Sequence, residues 1–133
     1  MKTMVKTLKV LSVISLLLFA SSCTTDKEPT KPEKVRLSRL VVDSTQLNSY
    51  KALLKEEIEA SIEKEAGVLT LYAVFETKQP THLTILEMYA SEEAYKEHVK
   101  TPHFLKYKNG TLNMVKELEL IDTDPLIPDL KIK

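Results

Sequence analysis

The chain has 133 residues with 19 basic and 19 acidic side chains, one cysteine, two glycines and no tryptophan. That balance excludes the strongly basic surface nucleic acid calls for, and a lone cysteine excludes an internal disulfide framework or a paired-cysteine metal site. Two glycines exclude the Gly-rich loops that cradle phosphates and dinucleotides.

Lys2, Lys6 and Lys9 precede an apolar run of ten residues, Val10 to Phe19. A bilayer core needs roughly 20, so residues 1–22 read as a secretion signal rather than a membrane span. Ala20-Ser21-Ser22-Cys23 resembles a bacterial lipobox, with Ala20 where leucine is usual. The resemblance implies cleavage before Cys23, a lipid on its sulfur, and a membrane-anchored place in the cell envelope, on the periplasmic or the outer face. Residues 23–33, polar and carrying Pro29 and Pro32, read as a solvated tether. Once the signal is removed, 16 basic residues face 19 acidic ones, a formal charge of −3.

The folded domain is expected over residues 34–124, followed by a Pro-containing tail at 125–133. Val35 to Val42 is dense in Val and Leu and reads as a strand, ending at Asp43-Ser44, a helix entry. Leu47, Tyr50, Leu54, Ile58 and Ile62 recur at three and four residues and predict an amphipathic helix, with Lys51, Lys55, Glu56, Glu59 and Glu63 on its solvated face. Gly67 suits a left-handed stop. Val68 to Thr77 and His82 to Tyr89 read as strands joined by a hairpin-sized loop. Ser91 predicts the N-cap of a short helix, with Glu92 and Glu93 in its first turn. Thr101-Pro102 starts another helix, Asn109-Gly110 is placed to end or kink it, and Leu118 to Ile121 forms a last strand.

Strand, helix, strand, strand, helix, strand is the order of a ferredoxin-like α+β sandwich. Leu69, Leu71, Ala73 and Phe75 share one parity of the second strand, Val68, Tyr72 and Val74 the other; in the third, Leu83 and Ile85 oppose Leu86 and Met88. Helices cover only one face of such a sheet. Apolar residues on both faces therefore predict a second cover, most economically another copy of the sheet in a homodimer.

The densest chemistry lies between Leu86 and Phe104. His98 shares an apolar helical stripe with Ala94 and Tyr95, and reads either as a pocket base or hydrogen-bond donor or as a satisfied core histidine. His103, in a first helical turn, either bonds locally or positions a substrate anion. Glu87 has the parity of Leu83, Ile85 and Tyr89; it either enters a pocket, where burial raises its pKa, or makes a structural hydrogen bond. Tyr72 and Tyr89 offer phenol donors or simple packing. Arg36 and Arg39 read as edge or dimer salt-bridge residues before substrate clamps.

Glu65-Ala66-Gly67, Glu87 with Tyr89 two places on, and His98 followed by Thr101-Pro102-His103-Phe104 resemble the antibiotic-biosynthesis-monooxygenase family, which includes cofactor-free quinol monooxygenases and autoinducer-2 phosphate isomerases. Ala66 stands where that family commonly has proline. The resemblance implies a dimer with sheets packed into a barrel and a pocket between sheet and helices in each subunit. It also implies a small aromatic or enolisable substrate, O₂ as co-substrate and no cofactor. On this reading His98 and Glu87 are the catalytic candidates, and His103, Tyr72, Tyr89, Tyr95 and Phe104 the substrate-binding ones. An isomerase of a phosphorylated dicarbonyl and a non-catalytic, membrane-tethered binding module are the alternatives. Haem degradation fits poorly, because the chain lacks tryptophan and its first strand lacks asparagine.

Overall fold

The computed structural model describes residues 31–129; the signal, Cys23 and most of the tether, together with the last four residues, lie outside the described residues. Strand β1 (Lys34–Val42) is flanked by β3 (His82–Tyr89) and β4 (Val115–Thr123), and β2 (Val68–Phe75) lies outside β3, so the antiparallel order is β2-β3-β1-β4. Helix α1 (Leu47–Lys64) joins β1 to β2, and α2 (Glu92–His98) with α3 (Pro102–Thr111) joins β3 to β4. This is the ferredoxin-like α+β arrangement. Among the described residues no helix is long and apolar enough to cross a membrane.

Residues opposite one another in a ladder share a face, so the register defines rows across the sheet. Toward the helices run Phe75, Leu83, Leu40 and Leu118, then Ala73, Ile85, Ser38 and Leu120, then Leu71, Glu87, Arg36 and Asp122. Tyr50 and Leu54 of α1 close over Leu40, Val42, Leu83 and Ile85 to make the core. The opposite face carries the row Tyr72, Leu86, Leu37 and Ile121, apolar across all four strands. The expected two-faced sheet is therefore present, with Val68 as an exception. A register shift between Val68 and Thr70 pairs Val68 with Tyr89 and turns it to the helix side, where it is buried with the residues of opposite parity.

Each helix starts where its residues predict. Asp43 accepts hydrogen bonds from the Thr45 backbone N–H and hydroxyl, opening a 3₁₀ turn at Ser44–Gln46 that leads into α1. Ser91 Oγ accepts from Ala94 N at 3.1 Å, and Thr101 Oγ1 from Phe104 N at 3.3 Å. Three expectations are corrected. The buried stripe of α1 drifts to Tyr50, Leu54, Glu57 and Ser61, leaving Ile62 about half exposed. The Asn109-Gly110 pair lies within α3, which runs on to Thr111 with Gly110 against Leu53. No described glycine has a positive φ, so Gly67 is no left-handed cap.

Gly67 instead makes room. A Cβ there would lie 2.6 Å from the Ala94 Cβ, because the loop after α1 passes directly beneath α2. Gly67→Ala should therefore displace α2 and destabilise the domain by about 1–3 kcal/mol. Adding Ala94→Gly should return most of the loss, less the roughly 1 kcal/mol a helical glycine costs. Urea unfolding midpoints of the two single variants and the double variant measure this; equal destabilisation with and without Ala94→Gly would show that the contact is not the cause.

Candidate active site

The helix layer packs over β2, β3 and β1 but not fully over β4, whose inward Leu118 and Leu120 remain 57% and 52% exposed. Between sheet and helices lies a cavity of about 510 Å³, with those two leucines in its wall. His98, Glu87, Tyr89, Tyr95 and Phe104 all line it, together with Glu57. Five of the expected residues thus stand in one place.

The floor is the polar row of the sheet. Glu87 accepts hydrogen bonds from the Ser38 hydroxyl on one oxygen and from Tyr89 Oη on the other at 2.9 Å. Burial, with the Glu87 charge beside it, pushes the Tyr89 phenol well above its ordinary range, so it stays a donor. Arg36 is no outward edge residue. It points to the helix side, binds Asp122 at 2.8 Å, and donates from Nη1 to Tyr95 Oη at 2.8 Å while its guanidinium lies 4.7 Å from the Tyr95 ring centre. Burial pulls its pKa down, but the bonds to Asp122 and Tyr95 outweigh that and the net shift is upward, so it remains a cation. Because Tyr95 Oη is the acceptor in that bond, its own hydrogen is available to a ligand.

His98 forms the wall opposite. It ends α2, is 2% exposed, and packs against Tyr89 and Phe104 with ring centres at 5.4 and 5.0 Å. Its Nδ1 lies 3.1 Å from Glu65 Oε1, and its Nε2 lies 3.6 Å from Glu57 Oε1, just beyond hydrogen-bond range. Ser61, one helical turn beyond Glu57, donates to the same Glu57 oxygen at 2.8 Å. Glu65 is shared with His103, whose Nε2 is 2.5 Å from Oε1. Burial raises the Glu57 pKa despite the opposing Ser61 bond and His98 charge. Burial also pushes Glu65 up, but the His103 and His98 bonds more than cancel it, and the net shift is downward. With Glu65 ionised, Nδ1 is placed to carry the hydrogen toward it, which leaves Nε2 as the acceptor nitrogen beside Glu57.

Two expected residues stand elsewhere. Tyr72 is 66% exposed on the far face of the sheet, because its parity in β2 is opposite to that of Leu71 and Ala73, which face the helices. His103 bonds not locally but to Glu65, 38 residues away in sequence, and does not line the cavity. Conversely, Glu57 and Ser61 were missed. Their signal was present: a carboxylate seven residues after Tyr50 and a hydroxyl eleven after it fall on the stripe that Tyr50 and Leu54 begin. Glu65, His98 and His103 together also form a group of donors suited to a metal ion.

Residues 36–110 match the family model described as antibiotic biosynthesis monooxygenase. A crystal structure from Bacteroides thetaiotaomicron, of a protein assigned to the same description, is 62% identical, with a TM-score of 0.74 over 75% of this chain and 95% of that one. A protein from Lactobacillus acidophilus, assigned as a monooxygenase, is 29% identical with a TM-score of 0.66, over 70% of this chain and 46% of that one. A Nitrosomonas europaea structure, 19% identical with a TM-score of 0.67 over 71% of this chain and 99% of that one, shares the fold. No protein of curated function matches the chain.

Acid should expose the two carboxylates separately. With its folded-state pKa below the ordinary 4.5, Glu65 contributes stability above that value and loses the contribution as pH falls through the folded pKa. Glu57, shifted upward, contributes in the opposite sense, fully below 4.5 and less as pH rises through its raised value. The stability advantage of the wild type over Glu65→Gln, from urea unfolding across pH, should be largest near neutrality and shrink on acidification below about 4.5. An advantage that grows with acid would contradict the assignment.

Proposed function

Because the chain belongs to the antibiotic biosynthesis monooxygenase family, we propose that it oxidises a quinol or similar enolisable phenol with O₂, without a cofactor, in the cavity between sheet and helices. The observation that carries this reading is the setting of His98. One imidazole nitrogen is tied to an ionised carboxylate, the other lies beside Glu57, and the ring lines a largely apolar cavity. That is how an imidazole is oriented for proton abstraction.

The substrate ring lies among Phe104, Leu118 and Leu120, with its hydroxyl toward His98 Nε2. His98 takes the phenolic proton, and the imidazolium is held by Glu65. Tyr95 Oη, supported by Arg36, donates to the developing oxyanion. The anion passes one electron to O₂, and the resulting radical pair joins as a C–O–O bond. Loss of water then leaves a hydroxylated quinone: quinol plus O₂ gives hydroxyquinone plus H₂O, all four electrons coming from the ring. Exclusion of water protects the peroxide. A phosphorylated dicarbonyl is a weaker fit: of the two cationic residues lining the cavity, Arg36 is already committed to Asp122 and Tyr95, which leaves Lys108 to hold the phosphate.

A second copy covers the row Tyr72, Leu86, Leu37 and Ile121, making the dimer that the two-faced sheet calls for. A lipid on Cys23 tethers it to a membrane, into which apolar quinols partition.

Two measurements test this reading. His98→Gln should lower quinol-dependent oxygen uptake by roughly 10²- to 10⁴-fold in kcat while the protein sediments as the wild-type dimer; an unchanged kcat would remove His98 as the base and make Glu87 the next to examine. Cys23→Ala should abolish fatty-acid labelling and release the protein from the membrane fraction, and persistent labelling would rule out that attachment site.

A further inference from the structure

We infer that Glu65, His98 and His103 form a binding site for a first-row divalent cation of the Zn²⁺ or Co²⁺ type, on the side of His98 away from the cavity. Each residue offers one donor atom, and the three atoms lie within 4.8 Å of one another. An ion bound at the 2.0–2.2 Å typical of imidazole and carboxylate ligands needs donors spaced by roughly 3.4 Å in a tetrahedron. The His98 Nδ1 to Glu65 Oε1 separation is 3.1 Å, and the His103 Nε2 to Glu65 Oε1 separation of 2.5 Å must open by about 1 Å. Glu65 can supply that movement, because it lies one residue past α1 in extended backbone. Two imidazoles and one carboxylate select a zinc-like ion over Mg²⁺ or Ca²⁺, which prefer all-oxygen sites.

The surroundings fit the same role. A metal-bound histidine ordinarily donates its other N–H to a carboxylate that is itself held in place. Here His98 Nε2 faces Glu57 at 3.6 Å, and Glu57 is fixed by Ser61. The carboxylates of Glu65 and Glu57 bring negative charge to the ion and to the far side of His98. Access exists, since the side chains of Glu65 and His103 are 14% and 15% exposed and Glu65 opens onto a groove that also holds Gly67, Glu97 and Lys100.

An ion on Nδ1 forces the remaining imidazole hydrogen onto Nε2, the nitrogen that the proposed reaction uses as its base. Metal binding and proton abstraction by His98 are therefore mutually exclusive. The site stands without the proposed reaction; only this blocking effect rests on it.

Titration of the protein with Co²⁺ tests the site with no substrate present. Visible absorption of four- or five-coordinate Co²⁺ should saturate at one ion per chain, bleach on addition of Zn²⁺, and fall at least tenfold in apparent affinity in His103→Gln and in Glu65→Gln. Imidazole ¹⁵N shifts of His98 and His103 in the wild type should move together with the absorbance, a reading that needs no variant to fold. Absorption no stronger than that of the aquo ion, or full binding retained in both variants, would overturn the site. If the site binds and quinol oxidation is measurable, oxygen uptake should fall in parallel with occupancy. Unchanged uptake at saturation would overturn the use of His98 Nε2 as the base and leave the metal site standing.

Discussion

A buried imidazole set between two carboxylates fixes the arrangement of the three helices. Glu57 comes from the middle of α1, Glu65 from just beyond its end, His98 from the last turn of α2 and His103 from the first turn of α3. The turn between α2 and α3 is itself tied to His98, whose carbonyl oxygen accepts both the backbone N–H and the hydroxyl of Thr101. Removing any one partner would leave another polar group unpaired in a poorly solvated place, a loss of about 1–3 kcal/mol. Replacing the whole group with apolar residues would not carry that penalty. A cluster this polar at the centre of a small domain therefore sets geometry and protonation more than it adds stability.

The sheet supplies the complementary half of the site by sorting its rows. Close to the hairpin, leucines and Phe75 face Tyr50 and Leu54 and form ordinary core. Toward the other end the same face carries Glu87, Arg36 and Asp122, whose partners are hydroxyl groups and one another. Two residues along each strand, from Ser38 and Ile85 to Arg36 and Glu87, separate a dry region from a polar one. The cavity sits where they meet, so its wall offers an apolar surface and a polar one side by side.

Element order, the four strands and the cap residues were legible in the sequence because each rests on local chemistry: alternation, Asp43, Ser91, Thr101 and Pro102. His98 and Glu87 were legible for the same reason, since parity and stripe position alone turn them inward. Tyr72 was misplaced because the second strand is apolar on both faces, and composition does not say which face meets the helices. Val68 was misplaced because a bulge reverses parity without a mark such as glycine or proline. Glu57 and Ser61 hid among the charges of α1, where one carboxylate on the buried stripe resembles its solvated neighbours. Gly67 was rightly singled out for the wrong reason. Its need is a steric one created by Ala94, 27 residues away in sequence.

The incomplete roof over β4 couples occupancy to the stability of the whole domain. Leu118 and Leu120 are core positions by register but half-wet by exposure, so a ring resting on them completes an apolar layer that the chain leaves unfinished. Removing that surface from water gives ligand association a negative heat-capacity change, and the free energy of association adds to that of folding. The empty protein is then the less stable form by construction, and its melting temperature becomes a gauge of how much apolar ligand has entered.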